Sequence, residues 1–217
     1  MNIDREQVHM VIALFLVAAI AAVLLGLTDI VTREPIAAAQ KKALHTALQQ
    51  VLPEHANDPQ LDVITIGAAD SAVQVYPAKA ANGDVLGLAW EVVAPDGYSG
   101  SIRILVGLKR DGHIHAIRVI SHKETPGLGD GIVKNNSWLG SFVQQGLDSK
   151  IWKVKKDGGD FDQFTGATIT PRAVVKAVKG ALEFFHAHQQ DMLARFEAAA
   201  KAPLAEPMDN TKTGGNP

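Results

Sequence analysis

The chain has 217 residues, a hydrophobic fraction of 47%, 21 Lys and Arg against 23 Asp and Glu, and no cysteine. Without a basic surplus to neutralise a phosphate backbone, a dedicated nucleic-acid binder is disfavoured. Missing thiols exclude disulfides, thiol nucleophiles, cysteine-ligated zinc, iron–sulfur clusters and c-type haem, so electron transfer here requires an organic cofactor or a histidine-held metal.

The apolar residues are concentrated near the start. Met10 to Leu27 is an uncharged run of 18 residues in which only Gly26 is not apolar. As a helix it spans roughly 27 Å, close to the ~30 Å hydrocarbon core of a bilayer. The reading is an N-terminal tail over 1–9, a transmembrane helix over 10–28, and a soluble portion beyond. A cleaved signal peptide fits less well, because Asp4 and Glu6 flank Arg5 and the run exceeds the usual apolar stretch of about 7–15 residues. Arg33, Lys41 and Lys42 after the span would place the domain in the cytoplasm by the positive-inside rule. Asp29 and Glu34 weaken that bias. Charge leaves the orientation open.

Residues 29–62 read as a juxtamembrane helical connector. Thr32 is its N-cap and Pro35 lies in its first turn; Ile36, Ala43, Leu44, Ala47, Leu48 and Val51 recur at helical spacing, and Pro53 ends it. A domain over 63–200 follows. Its first part predicts strands at Val63–Ile66, Ala72–Tyr76, Val85–Val93, Ser101–Lys109 and His113–Ile120, with Asn82-Gly83 and Asp111-Gly112 as hairpin turns. Two glycine-bearing loops interrupt the pattern: Pro95-Asp96-Gly97-Tyr98-Ser99-Gly100, and Glu124-Thr125-Pro126-Gly127-Leu128-Gly129-Asp130. Loops of this composition are exposed and often line sites. A short helix carrying Trp138, Leu139, Phe142 and Val143 and a strand at Ile151–Val154 are expected next. The tail over 201–217, rich in Pro and Gly, reads as disordered.

The most informative stretch runs from Asp162 to Phe196. Thr170 as N-cap and Pro171 as first helical residue predict a helix start, with Val174, Val178, Ala181, Leu182, Phe185, Met192 and Phe196 as its apolar stripe. Three hydroxyls (Thr165, Thr168 and Thr170) stand beside Gly166 and Ala167 at that helix N-terminus, where free N–H groups and the helix dipole favour an anion, above all a phosphate. The turn could hold a phosphate non-covalently or offer a threonine for esterification, and spacing does not choose among the three. The eight histidines suggest no metal site: His113-x-His115 shares a strand face, His186-x-His188 diverges by about 200° on a helix, and neither pair has an evident third ligand. No nucleophile elbow, paired-carboxylate motif or Walker loop is present.

Asp162-x-x-Thr165-Gly166-Ala167-Thr168 resembles the flavinylation motif of the FMN-binding domains in two bacterial respiratory complexes. These are the G subunit of the Rnf (Rsx) electron-transport complex and the C subunit of the sodium-translocating NADH:quinone reductase. The N-terminal span, Gly97-Tyr98-Ser99-Gly100 and His122-Lys123-Glu124-Thr125-Pro126-Gly127-Leu128-Gly129 occur in the family's order; length and absent cysteine are more similar to the Rnf member. The resemblance implies an α+β fold, with an N-terminal transmembrane helix ahead of a mainly antiparallel sheet and flanking helices. It further implies FMN esterified through its phosphate to Thr168, with Asp162, Thr165, Gly166 and Ala167 completing the motif read by a separate flavin transferase. Gly97, Tyr98, Glu124, Thr125, Gly127 and Leu128 are expected to contact the flavin. The implied setting is the bacterial inner membrane with the domain facing the periplasm. There the chain would be one subunit of an ion-translocating oxidoreductase, beside other membrane and redox subunits. The competing reading is an anchored periplasmic assembly module without cofactor, supported by the two amphipathic helices.

Overall fold

The computed structural model describes residues 5–67 and 72–201. The chain divides into two units, Met1–Thr46 and Ala47–Pro217. Helix α1 (Arg5–Val51) runs unbroken for 47 residues and is long and apolar enough to cross a membrane. It includes residues 5–9, expected as tail, and does not restart at Thr32. The Thr32 hydroxyl instead donates back to the Thr28 carbonyl at 2.8 Å, and Pro35 sits inside the helix. Proline deletes one backbone bond, but the turns on either side propagate cooperatively across the gap. The helix ends at Val51, just ahead of Pro53 where the sequence predicts its end; Asn57 pins the residues that follow by accepting the Lys79 N–H at 2.7 Å and donating to the Pro77 carbonyl at 3.0 Å.

The fold of the second unit is α+β. Five strands, β1 (Ile64–Ile66), β2 (Val73–Lys79), β3 (Val85–Ala94), β4 (Ile102–Lys109) and β5 (Ile114–Ser121), form one antiparallel meander in chain order. The β-branched runs and the two Gly-containing turns place the strands where the sequence predicts them.

Antiparallel register assigns the side chains to two faces. Leu88, Trp90, Ile104, Val106 and Leu108 lie on one face, paired across β3 and β4, and pack into a core with Val174, Val178, Leu182 and Phe185 of the C-terminal helix α4 (Ile169–Lys201). The Trp90 and Phe185 rings stack at 6.2 Å. Each fully buried aliphatic or phenyl side chain contributes roughly 1.5–3 kcal/mol, against about 0–1 kcal/mol for an exposed ion pair. Burial of these side chains therefore contributes far more to stability than surface ion pairs do.

The opposite face is a trough of small residues, with Gly107 paired to Ala89 and Gly87 to Ala78. The last turn of α1 lies in it: Leu48, Val51 and Leu52 are buried, and Gln50 accepts a bond from Arg118 of β5 at 2.9 Å. Strand β4 is thus covered on both sides.

Between β5 and α4 come two short helices, α2 (Gly131–Lys134) and α3 (Asn136–Gly140). Trp138 and Leu139 are buried, as is Phe142. The strand expected at Ile151–Val154 reduces to one bridge between Val154 and Phe161. Trp152 turns inward against Phe161, with ring centroids 5.0 Å apart. The predicted tail lies outside the described residues, except Lys201, which ends α4.

Candidate functional site

Helix α4 begins two residues earlier than the Thr170-Pro171 pair suggests. It starts at Ile169, and the Thr168 carbonyl accepts the Arg172 N–H at 3.3 Å, which makes Thr168 the N-cap. Pro171 is then the third helical residue. An N-cap hydroxyl ordinarily accepts from the N–H at the second or third position, and proline has none to give. Half-buried Thr168 thereby keeps its hydroxyl clear of one usual partner, at the positive end of a 33-residue helix.

Two similar turns face each other beside it. In Phe164-Thr165-Gly166-Ala167, the Ala167 N–H donates to the Phe164 carbonyl at 3.0 Å and Gly166 has φ +78°. In Thr125-Pro126-Gly127-Leu128, the Leu128 N–H donates to the Thr125 carbonyl at 3.2 Å and Gly127 has φ +79°. A positive φ at the third residue under such a bond marks a type II turn, which explains both glycines. A Cβ on Gly166 would touch Leu128 Cδ2 at 3.5 Å. Thr165 and Gly166 are exposed, Ala167 half-buried, and Thr125 and Gly127 exposed. Leu128 is 49% and Tyr98 70% exposed, so the loops carry apolar groups into the open.

The motif is seated by aromatic packing that the sequence reading missed. The Trp138 indole donates to the Asp162 carbonyl at 2.8 Å, and the Trp138 and Phe164 rings meet edge-on at 5.2 Å. Asp162 itself is exposed and pairs with Lys155 at 2.7 Å.

Glu124 differs from the other residues singled out. It is 5% exposed; one carboxylate oxygen accepts the Ser99 N–H at 3.0 Å and the other the Thr170 hydroxyl at 2.6 Å. The three predicted segments are thus joined through Glu124, with Gly97 half-buried against it.

Asp130 anchors the second turn, accepting the Gly127 N–H at 2.7 Å and pairing with Lys134 at 2.5 Å. Lys134, and then the Gly127 N–H, hold its carboxyl below the usual carboxylate range. Arg172 does the same to Asp157 through a forked pair at 2.6 and 2.8 Å. A carboxyl depressed in the folded state stabilises above its unfolded pKa of about 3.9, and that contribution disappears as pH falls toward the folded value. Melting temperature should therefore drop as pH is lowered below about 4, and Asp130→Asn should make the drop shallower. Parallel melts of both chains across that range check this.

A separate cleft of about 370 Å³ opens between Asp111, His113, Asp148, Ser149 and His186. None of the residues predicted to meet a flavin lines it. Among the described residues no group of three or more His, Asp or Glu could hold a metal ion.

The FMN-binding domain family matches residues 97–183, a window that opens at Gly97 and closes on α4. The G subunit of an ion-translocating oxidoreductase complex from Aliivibrio fischeri is 45% identical over 199 residues, covering 87% of this chain and 93% of that one. The chain belongs to this G-subunit family. Members from Vibrio vulnificus and Cereibacter sphaeroides are each 45% identical, over 179 and 182 residues, covering 78% and 81% of this chain and 85% and 82% of theirs. A crystal structure of NqrC from Shewanella oneidensis aligns with a TM-score of 0.45 at 19% identity, covering 67% of this chain and 78% of that one. In this G-subunit chain, the residues from Gly97 to Thr170 that build the site all fall within the FMN-binding window.

Proposed function

We propose that this chain is the membrane-anchored flavin subunit of an ion-translocating oxidoreductase complex, relaying electrons through FMN esterified to Thr168. Helix α1 anchors it in the bacterial inner membrane, and the domain faces the periplasm among the other membrane and redox subunits. The observation that carries the reading is the position of Thr168: N-cap of α4, at the end of the Asp162–Thr168 motif, with Pro171 withholding an N–H that would otherwise engage its hydroxyl.

The residues fit the group. The first-turn N–H groups of α4 have no intrahelical acceptor and suit the single negative charge of a phosphodiester. Gly166 and Ala167 leave room for it, and Tyr98 and Leu128 offer exposed apolar surface to a ring. Thr125 and Gly127 shape the loop that presents Leu128, and Gly97 does so for Tyr98. When bound, FMN supplies the redox chemistry; the protein holds, orients and tunes it. A covalent tether lets an open site keep its cofactor, and openness suits electron exchange with a neighbouring subunit.

Attachment needs a flavin transferase acting on the Asp162–Thr168 segment, in which Asp162, Thr165 and Gly166 are exposed. The Thr168 oxygen takes the FMN phosphoryl group from FAD, AMP leaves, and the hydroxyl proton passes to the departing phosphate or solvent. Intact-mass measurement of the full chain, produced in a host with the transferase, should show an added FMN less one water, localised to the peptide bearing Thr168. A colourless chain of unmodified mass would overturn the reading in favour of an assembly module.

A further inference from the structure

Glu124 is a buried carboxylate whose hydrogen-bond partners are Ser99 and Thr170 rather than Thr168, and its surroundings are built around it. A Cβ on Gly129 would lie 2.6 Å from one of its oxygens and 2.9 Å from the Thr170 hydroxyl oxygen, and a Cβ on Gly97 would lie 3.0 Å from the other oxygen. Gly129 is glycine where the carboxylate needs the space, while at Gly97 the Gly100 carbonyl, 2.2 Å from an added Cβ, is the tighter constraint. The partners are a backbone N–H of the loop that carries Tyr98 and the hydroxyl of a first-turn residue of α4 that is 0% exposed. Charged hydrogen bonds of this kind are about twice as strong as neutral ones, and leaving any of these groups unpaired in the interior is costly.

We infer that Glu124 is a positioning residue for the flavin. Through its two oxygens it fastens the Gly97–Gly100 loop and the first turn of α4 onto the loop that carries Leu128, and so fixes where Tyr98, Leu128 and the Thr168 oxygen stand relative to one another. With both oxygens engaged by Ser99 and Thr170, its role is that of a brace. Thr170 is the second half of the brace: of the three hydroxyls near this turn, it is the one spent internally. This rests on the proposed attachment at Thr168. Catalytic geometries tolerate little error, since misplacements near 1 Å are costly, and an open site has no enclosing walls to correct them.

The test uses the full chain, co-produced with the flavin transferase, as wild type, Glu124→Ala, Thr170→Val and Thr170→Ser. Three quantities are read: FMN per chain by intact mass, the visible circular dichroism of the bound flavin, and its fluorescence anisotropy. All are taken below each variant's melting midpoint. Thr170→Val keeps shape and removes only the hydroxyl, so it serves if Glu124→Ala fails to fold. The expected result is loss of flavin circular dichroism and anisotropy toward the values of free FMN in Glu124→Ala and Thr170→Val, with Thr170→Ser restoring wild-type signals. A residue that merely stabilised the fold would lower the midpoint and leave those signals unchanged. Folded Glu124→Ala or Thr170→Val carrying FMN with wild-type spectra would overturn the inference while leaving attachment intact. A wild-type chain that gains no FMN in that host would overturn the attachment reading, and this inference with it.

Discussion

Thr168→Ala should run as a dark band on a denaturing gel under conditions where the wild-type chain from the same host fluoresces. The expected loss is complete, because the ester oxygen itself is removed. Neither neighbouring threonine is placed to substitute. The Thr170 hydroxyl is buried and donates to Glu124 at 2.6 Å. Thr165 is exposed but occupies the second position of the turn closed by the Ala167 N–H, ahead of the helix N-terminus rather than on it. Thr168→Ser, which preserves both a hydroxyl and a good N-cap, should therefore keep the signal. Losing an N-cap hydroxyl costs about 1 kcal/mol, too little to unfold a domain with a core on both faces of β4. A fluorescent Thr168→Ala band would refute the assignment.

The strands and hairpins were legible because β-branched runs and Asn-Gly or Asp-Gly turns act locally. The segments around Pro126-Gly127 and Gly166 were expected as loops, while their type II geometry emerges only with the hydrogen bonds that close them. The start of α4 was not legible: Thr170-Pro171 has the form of an N-cap and first residue. What displaces it is a long-range bond from Thr170 to Glu124, 46 positions away in sequence, and no local pattern encodes that. The same bond separates Glu124 from the exposed loop residues with which composition grouped it. Likewise, Trp138 and Phe164 read as apolar residues of a short helix and a loop, yet together they seat the Asp162–Phe164 segment. Choosing Thr168 among three hydroxyls required the family resemblance; the geometry adds a reason in the position of Pro171.

Least legible of all was the second face of the sheet. Gly87, Ala89 and Gly107 in strands look like weak strand formers, since glycine in a strand has no side chain to pack. Their role is set by what lies on them. A Cβ at Gly107 would stand 1.9 Å from the Val51 carbonyl oxygen and 2.6 Å from its carbon, both backbone atoms. Backbone cannot swing aside as a flexible side chain can, so Gly107→Ala must push the end of α1 off β4 or bend the strand. Overpacking of this kind typically costs about 1–3 kcal/mol, and a clash with backbone falls toward the upper end, which for a domain of this size lowers the melting temperature by up to roughly 12 °C. Gly180→Ala is the matched control with opposite sign. Gly180 lies within α4, and nothing stands within 4 Å of an added Cβ; alanine there should stabilise by roughly 0.5–1 kcal/mol. Calorimetry of the two variants beside wild type decides the matter. A Gly107→Ala chain that melts like wild type would mean that the last turn of α1 does not rest on the sheet as described, and that β4 is not sealed on both faces.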